Sequence, residues 1–281
     1  MSRLWRDQLQ IFFAPGRVDM VRTLRGIKAN QAPRISEAYE YPPAAAMWQV
    51  SLQQLERLIE KENASSNLKG AELLITLSNH FVRYVVVPPQ REITDLAELL
   101  AYANFRMREV YGERAGDWIT SISDWDPYRG AVCAAIARDL YHEFEALALR
   151  HRIALKQIEP YLTAAFDQWC GAFNDKRFWF VVVEPGRLCM VLFSNGQWQG
   201  IRNQRIVHSA ATELCAALEQ EVINSGYREP IEQVYLFSPE YPELELPTGE
   251  GWQFAYLPTE KIPTPLHFPS IIVGSSEAGH A

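Results

Sequence analysis

A Pro-Gly-Arg turn occurs twice in this chain, and the arginine of each copy makes the turn a candidate anion site. The first is Ala14-Pro15-Gly16-Arg17, and the second is Glu184-Pro185-Gly186-Arg187. Each copy lies between two apolar runs, which is typical of a β-hairpin, because proline restricts φ and glycine supplies the positive φ of the turn. Arg17 and Arg187 could attract an anion, although an arginine after a turn is usually solvated, and chance similarity of two common turns is the alternative to a true repeat.

Other polar residues indicate structure more than catalysis. The histidines have no metal-ligand spacing, and no Gly-x-Ser-x-Gly motif or glycine-rich phosphate loop is present. Asp124 and Asp126 could be paired carboxylates for acid–base chemistry, but capping of a turn explains them better. Cys133 and Cys189 lie in apolar strands and are expected to be core residues. The sequence therefore predicts neither a catalytic residue nor a metal site.

The elements that carry the two turns repeat as well. The apolar runs 9–13 and 17–25 flank the first turn, and 178–184 and 187–193 flank the second. Similarity within one chain is considered before other fold arguments, because it identifies duplicated architectures. The pattern predicts two related halves, each opening with a hairpin of the same design.

Hydrophobic periodicity predicts the rest of the first half. After the hairpin we expect a third strand over 34–41, a helix over 46–62 and strands over 72–77 and 81–87. An inserted block of about 92–151 should then contain a helix capped by Thr94 and closed by Gly112, a strand pair over 118–123 and 131–137, and a helix over 138–150. A strand over 153–158 and a helix over 161–173, with Pro160 at its first position, should complete this half.

The second half is predicted to be shorter. Its hairpin should be followed by a strand over 196–206, a helix after the cap Ser209 and short strands over 234–237 and 254–257. The expected domains are a first lobe over 1–177, a second lobe over 178–258 and an extended or disordered tail over 259–281.

Composition excludes several classes of protein. A net charge of −7 argues against general nucleic-acid binding, which depends on clustered basic residues. No apolar run approaches the length of a membrane span, and the first residues lack the apolar core of a signal peptide. The four cysteines show no paired spacing, as expected for reduced residues of a cytoplasmic protein.

The order of elements resembles the actin-like ATPase fold, an α/β fold of duplicated βββαβα lobes. The α-β-β-α insertion in the first lobe and the phrase Ser78-Asn79-His80-Phe81-Val82-Arg83-Tyr84, through Pro88, are similar to the actin-like pilus assembly and type II secretion family. This family includes PilM and the cytoplasmic domain of GspL, with the division protein FtsA as a more distant relative. The resemblance spans roughly residues 9 to 257.

The resemblance also implies where nucleotide chemistry would lie. Actin-like ATPases carry an Asp-x-Gly turn in each hairpin, whose backbone amides hold phosphates and whose Asp serves the metal. Here Pro15 and Pro185 replace a residue whose N–H could contact phosphate, and only Glu184 keeps an acid. The predicted cofactor is therefore none. Gly16, Arg17, Gly186 and Arg187 complete two degenerate phosphate turns.

The resemblance further implies a partner. In the relatives, a groove beside the inserted block receives the cytoplasmic peptide of a single-span inner-membrane protein, and Trp118, Trp125 and Tyr128 could supply aromatic anchors here. Core packing is the alternative role for each of the tryptophans.

Three hypotheses follow. The favoured one is a non-catalytic cytoplasmic scaffold of a type II secretion or type IV pilus-like machine, peripheral to the inner membrane through its partner. The alternatives are an actin-like ATPase or switch using ATP and Mg²⁺ with atypical turns, and a kinase-like enzyme of the same superfold. Homo-oligomerisation is left open.

Overall fold

The computed structural model describes residues 6–24, 30–31, 35–38, 47–123, 125–225, 233–246 and 251–258. The tail over 259–281 and the candidate carboxylate Asp124 lie outside these residues. The chain divides into two compact units. Unit 1 takes in Met1–Val82, Asp117–Ile119 and Ile136–Tyr161, and unit 2 takes in Arg83–Gly116, Thr120–Ala135 and Leu162–Ala281.

Strands and helices are named in chain order. The strands of the described residues are β1 (Gln8–Ala14), β2 (Arg17–Leu24), β3 (Asn30–Gln31), β4 (Ile35–Ala38), β5 (Glu72–Leu77), β6 (Val82–Val87), β7 (Trp118–Ile122), β8 (Ala131–Ala137), β9 (Ala154–Pro160), β10 (Arg177–Glu184), β11 (Arg187–Ser194), β12 (Gln197–Arg205), β13 (Gln233–Phe237) and β14 (Gln253–Tyr256). The α-helices are α1 (Met47–Ser65), α2 (Leu96–Tyr111), α3 (Arg138–Arg150), α4 (Tyr161–Trp169) and α5 (Ala210–Ser225). Among these helices, none has the length and hydropathy needed to cross a bilayer.

The two larger sheets repeat one topology. The sheet of unit 1 has the order β3-β2-β1-β5-β9, with β4 also paired to β2, and the sheet of unit 2 has the order β12-β11-β10-β13-β14. In each, an antiparallel hairpin is extended by parallel strands on the side of its first strand. The predicted duplicated α/β architecture is confirmed.

Unit 1 has its core around the central strand β1. Residues of β1 alternate between buried and half-buried positions, as expected for a strand whose two faces differ. Leu9, Ile11 and Phe13 are buried together with α1 residues such as Leu55 and Leu58. The Phe13 ring also meets the Phe144 ring of α3, with centroids 5.0 Å apart.

In unit 2 the central strand β10 is buried on both faces. Trp179, Val181 and Val183 belong to the core cluster that includes Leu214 and Leu218 of α5. The alternate residues form an aromatic layer, in which the Phe166 ring of α4 lies 5.5 Å from the Phe180 ring. Two covered faces explain why this strand is an unbroken apolar run rather than an alternating one.

Most predicted boundaries lie within a few residues of those in the structure, and the differences concern the cap of α2, the place of Pro160 and the end of α4. The cap of α2 is Asp95, whose carboxylate accepts the Glu98 N–H at 2.9 Å, and not Thr94. Pro160 ends β9 instead of beginning the next helix, and α4 stops at Trp169, before a 3₁₀ turn over Cys170–Ala172. The predicted third strand is present as β4, which lies within 34–41, and the two-residue strand β3 precedes it.

Candidate functional site

The first turn, between β1 and β2, has the shape that its sequence predicts. Ala14 and Arg17 pair across the hairpin, and Gly16 has a φ of 73°. Proline followed by a glycine at positive φ is the pattern of a type II turn. The Ser51 hydroxyl of α1 donates to the Ala14 carbonyl at 3.0 Å, so the helix fixes the turn from one side.

Arg17 is held by a carboxylate two residues along the same strand. Its Nε donates to Asp19 Oδ1 at 3.0 Å, and its Nη2 lies 2.7 Å from Asp19 Oδ2. The Asp19 side chain is 3% exposed, whereas that of Arg17 is 31% exposed. The guanidinium also lies over the Phe12 ring, 5.6 Å from its centroid. A charge balanced by a bidentate buried carboxylate has little attraction left for a further anion.

The second turn, between β10 and β11, has the same backbone and different surroundings. Glu184 and Arg187 pair across it, and Gly186 again has a φ of 73°. Both paired side chains are buried, Glu184 to 2% and Arg187 to 8% exposure. Burial lowers the pKa of the Arg187 guanidinium, and the charge of Arg83 lowers it further, while Glu184 raises it. This turn therefore buries one carboxylate and one guanidinium, those of Glu184 and Arg187.

The aromatic candidates lie on one strand and the loop that follows it. Trp118 is the first residue of β7, and its carbonyl accepts a hydrogen bond from Arg138 at 3.5 Å. Trp125 and Tyr128 lie in the loop between β7 and β8. Trp125 is half-buried, and its indole N–H is buried without a hydrogen-bond partner among the described residues. Tyr128 is 64% exposed. The structure thus places Trp125 and Tyr128 in one loop and Trp118 at the other end of β7.

Hydrogen bonds from Asp126 within the loop and from Gln197 of β12 hold the backbone of the β7–β8 loop in place. The Asp126 carboxylate accepts the Tyr128 N–H at 2.7 Å and the Arg129 N–H at 3.2 Å, so Asp126 caps the turn as predicted. Gln197 of β12 donates to the Tyr128 carbonyl at 2.8 Å. The Tyr128 ring remains exposed and stacks under the Arg91 guanidinium, 4.9 Å from the ring centroid. The result is a rigid backbone presenting an exposed aromatic ring and a cation.

The hydroxyl group of Tyr111 links α2 to β6, the strand before the insertion. Tyr111, the last residue of α2, donates its O–H to the Tyr84 carbonyl at 3.0 Å and accepts the Tyr84 N–H at 3.4 Å. β6 is an edge strand of the sheet β6-β8-β7, so its outer backbone groups need partners. Burial raises the pKa of Tyr111, which keeps the hydroxyl protonated and able to donate.

One group of side chains in unit 1 has metal-ligand proximity. Glu56 and Glu60 of α1 and His151 after α3 place a ligand atom each within 4.8 Å of the others. Arg150, however, hydrogen-bonds Glu56 and thereby lowers its pKa. A guanidinium beside the carboxylate opposes cation binding. The group is an ion-pair network that joins the two helices.

Sequence reasoning missed Asp19 as a site residue. Residues two apart in a strand share a face, so Arg17-x-Asp19 in a predicted strand already indicated a pair.

The burial of Cys133 and Cys189 was predicted correctly. Burial raises the pKa of Cys133 to about 12 and that of Cys189 well above its usual value, so neither thiol is a nucleophile at neutral pH.

The structure is similar over most of its length to solved structures. One is the cytoplasmic domain of EpsL, an inner membrane component of the type II secretion system of Vibrio cholerae, with a TM-score of 0.54, 10% identity, and coverage of 90% of this chain and 90% of that chain. Another is the PilM-PilN type IV pilus biogenesis complex, with a TM-score of 0.56, 14% identity, and coverage of 86% and 84%. A third is a protein of unknown function with an actin-like ATPase fold from Bacteroides thetaiotaomicron, with a TM-score of 0.55, 8% identity, and coverage of 85% and 84%.

These similarities establish the fold. The chain has the actin-like ATPase fold, and its architecture is shared with the EpsL cytoplasmic domain and PilM, as the resemblance in the sequence implied. The sequence itself matches no family model, and no curated protein is significantly similar to it. The similarity is one of fold, at 8% to 14% residue identity.

Proposed function

We propose that this chain is a non-catalytic cytoplasmic scaffold of a type II secretion or type IV pilus-like assembly machine. The observation that carries the proposal is the similarity to the EpsL cytoplasmic domain, which covers 90% of both chains. Coverage of that extent means that most of the fold, and not one lobe alone, has a counterpart. PilM, from a complex with PilN, supports the same class of role.

The two turns support a role without phosphoryl transfer. Proline at 15 and 185 removes a backbone N–H from each turn, and backbone amides are what hold phosphate oxygens in such loops. Asp19, the buried carboxylate beside the first turn, is occupied by Arg17. Arg187 brings a positive charge to the second turn, where a metal ion would need acids. Both hairpins keep their shape while their chemistry is unsuited to Mg-ATP.

The loop between β7 and β8 is the proposed docking point for the partner. Its backbone is fixed by Asp126 and Gln197, while the Tyr128 ring is exposed beside Arg91. A rigid loop with an exposed aromatic ring can anchor a peptide at low entropic cost. We infer that the partner is an inner-membrane assembly protein, which contributes a short cytoplasmic peptide and holds the scaffold at the membrane. Trp118 and Trp125 remain predicted members of this surface.

The proposal is tested by capture of the partner on the full chain. Affinity-tagged protein is mixed with the detergent-solubilised inner-membrane fraction of its source cell, and bound proteins are identified by mass spectrometry. We expect an inner-membrane assembly component, and Tyr128→Ala should reduce its recovery about tenfold, as for an aromatic hot spot. The matched control is Phe105→Ala, since Phe105 is an exposed aromatic residue of α2, 55% exposed. This variant should capture the partner as well as the wild type does.

Two results would contradict the proposal. Recovery of soluble metabolic proteins alone would remove the assembly role. Equal loss of the partner with Phe105→Ala and Tyr128→Ala would remove the loop as the docking point. Circular dichroism of both variants verifies that each is folded before capture.

A further inference from the structure

The outer side of α2 carries an exposed apolar stripe. The buried residues of this helix recur at intervals of four and mark the side that packs on the fold: Leu99, Ala103 and Met107. Ala97, Ala101 and Phe105 recur at the same interval, two positions out of step, so they lie about 200° around the helix from the buried side. All three are exposed, and Phe105 is 55% exposed. The helix therefore presents its stripe away from its own fold.

One acid and one base lie on either side of the centre of this stripe. Glu98 and Arg108 are both exposed. Neither forms an ion pair within the part of the chain that the structure describes, whereas Arg106 and Glu109 of the same helix pair with each other. Ten helical residues separate Glu98 from Arg108, a distance of about 15 Å along the axis, so the two cannot pair with each other.

The face that these residues form is complementary to itself. Glu98 and Arg108 are each five residues from position 103, and Ala101 and Phe105 are each two residues from it. In an antiparallel pair of helices with a twofold axis at this level, Glu98 of one copy lies level with Arg108 of the other. Phe105 likewise lies level with Ala101 of the other copy. A twofold interface needs this property, because one patch meets itself and every contact occurs twice.

We propose that two copies of this chain form a homodimer by packing their α2 helices antiparallel through the α2 face, which consists of Ala97, Glu98, Ala101, Phe105 and Arg108. The Phe105 ring of each copy packs where the small Ala101 side chain of the other lets the helices approach. The two Glu98–Arg108 pairs fix the direction and the register of the helices. A contact confined to one helix of 16 residues in each copy is small, so the dimer is weak and reversible.

The first experiment is sedimentation velocity of the full chain from about 1 μM to 1 mM, the range of weak interfaces. Salt at about 0.15 M screens the repulsion between two copies of net charge −7. We expect a reversible monomer–dimer equilibrium, and Phe105→Ala should raise its dissociation constant at least about tenfold, as for a central aromatic anchor. The matched control is Leu149→Ala, since Leu149 of α3 is 80% exposed and lies outside the proposed contact. This variant should dimerise as the wild type does.

Charge reversal tests the register. Glu98→Arg and Arg108→Glu each place like charges opposite one another twice, so each variant alone should dimerise at least about tenfold more weakly. A mixture of the two variants should form a heterodimer as readily as the wild type dimerises, because every acid again faces a base. Native mass spectrometry distinguishes the heterodimer by its mass. Glu143→Arg, at an exposed acid of α3, is the control, and it should not rescue Arg108→Glu.

The proposal is overturned if the chain remains monomeric up to about 1 mM. It is also overturned if Phe105→Ala and Leu149→Ala dimerise equally well, or if the mixed charge variants form no more heterodimer than either forms homodimer, because another surface would then hold the copies together. Phe105→Ala separates this proposal from the docking proposal, since this variant should lose dimerisation and still capture the membrane partner.

Discussion

At the scale of single residues, the two turns differ in how their arginines are satisfied. Arg17 forms two contacts with the buried carboxylate of Asp19, whereas Arg187 is buried with no comparable partner among the described residues. Two turns that share the sequence Pro-Gly-Arg therefore hold their arginines in different ways. The difference comes from the third residue of the strand that follows the turn, which is Asp19 in the first hairpin and Cys189 in the second.

Asp19 is predicted to matter for stability. Asp19→Asn removes the charge that faces the partly buried Arg17, and we expect the free energy of unfolding to fall by about 2 kcal/mol, because a buried charged hydrogen bond is broken on one side only. Urea denaturation followed by circular dichroism measures the change. Glu109→Gln is the control, since Glu109 pairs with Arg106 on the surface of α2 and should lower stability by less than about 1 kcal/mol. Equal losses in the two variants would show that the Arg17–Asp19 pair is worth no more than a surface pair.

At the scale of elements, Gly130 allows the β7–β8 loop to pack closely against the end of β6. Gly130 has a φ of 77°, and a Cβ atom at this position would lie 2.4 Å from the Val87 carbonyl oxygen of β6. Its N–H also donates to the Asp126 carbonyl at 2.7 Å. Glycine alone fits this combination of positive φ and close backbone approach.

Gly130→Ala should therefore destabilise the protein by about 2 kcal/mol, from the left-handed backbone and the clash with a main-chain atom that cannot rotate away. Thermal and urea unfolding provide the measurement. Gly171→Ala is the matched control, because no atom lies within 4 Å of a Cβ placed there and no positive φ is required. A Gly130→Ala protein as stable as the Gly171→Ala protein would contradict the close approach seen in the structure.

The elements also show what sequence alone could predict. The hairpins were predictable because proline and glycine specify a turn locally. The capping error at α2 arose because Thr94 and Asp95 are both good caps, and only the position of the Glu98 N–H distinguishes them. The β11–β12 register was not predictable, because it depends on a β-bulge at Leu192/Phe193. Strand register brings together side chains that are far apart in sequence, so no local sequence pattern reveals these contacts.

At the scale of the whole molecule, the fold is that of an ATPase family while the turns favour another role. Two sheets of matching order keep the actin-like framework, and the similarity to EpsL and PilM extends over most of the chain. A fold sustains many functions, so the groups at the site decide between them. The prolines of the two turns are the reason for proposing docking rather than phosphoryl transfer.

The decisive measurement is the response of the full chain to ATP. We expect no phosphate release above that of a protein-free blank, and a melting temperature in ATP that does not rise further when Mg²⁺ is added, because a ligand stabilises only in proportion to its binding. A known Mg²⁺-dependent ATPase assayed in parallel is the positive control. Mg²⁺-dependent hydrolysis would instead establish the nucleotide-switch hypothesis.

The paired Pro-Gly turns have a consequence for how the molecule forms. β1 and β2 are adjacent in sequence, as are β10 and β11, so each hairpin can close from local contacts in about 1–10 μs. β5 and β13 join β1 and β10 in parallel from far along the chain, and such pairings pay a larger loop-closure entropy. Each early hairpin would then template the strands that arrive later, and this kinetic advantage does not depend on a bound nucleotide.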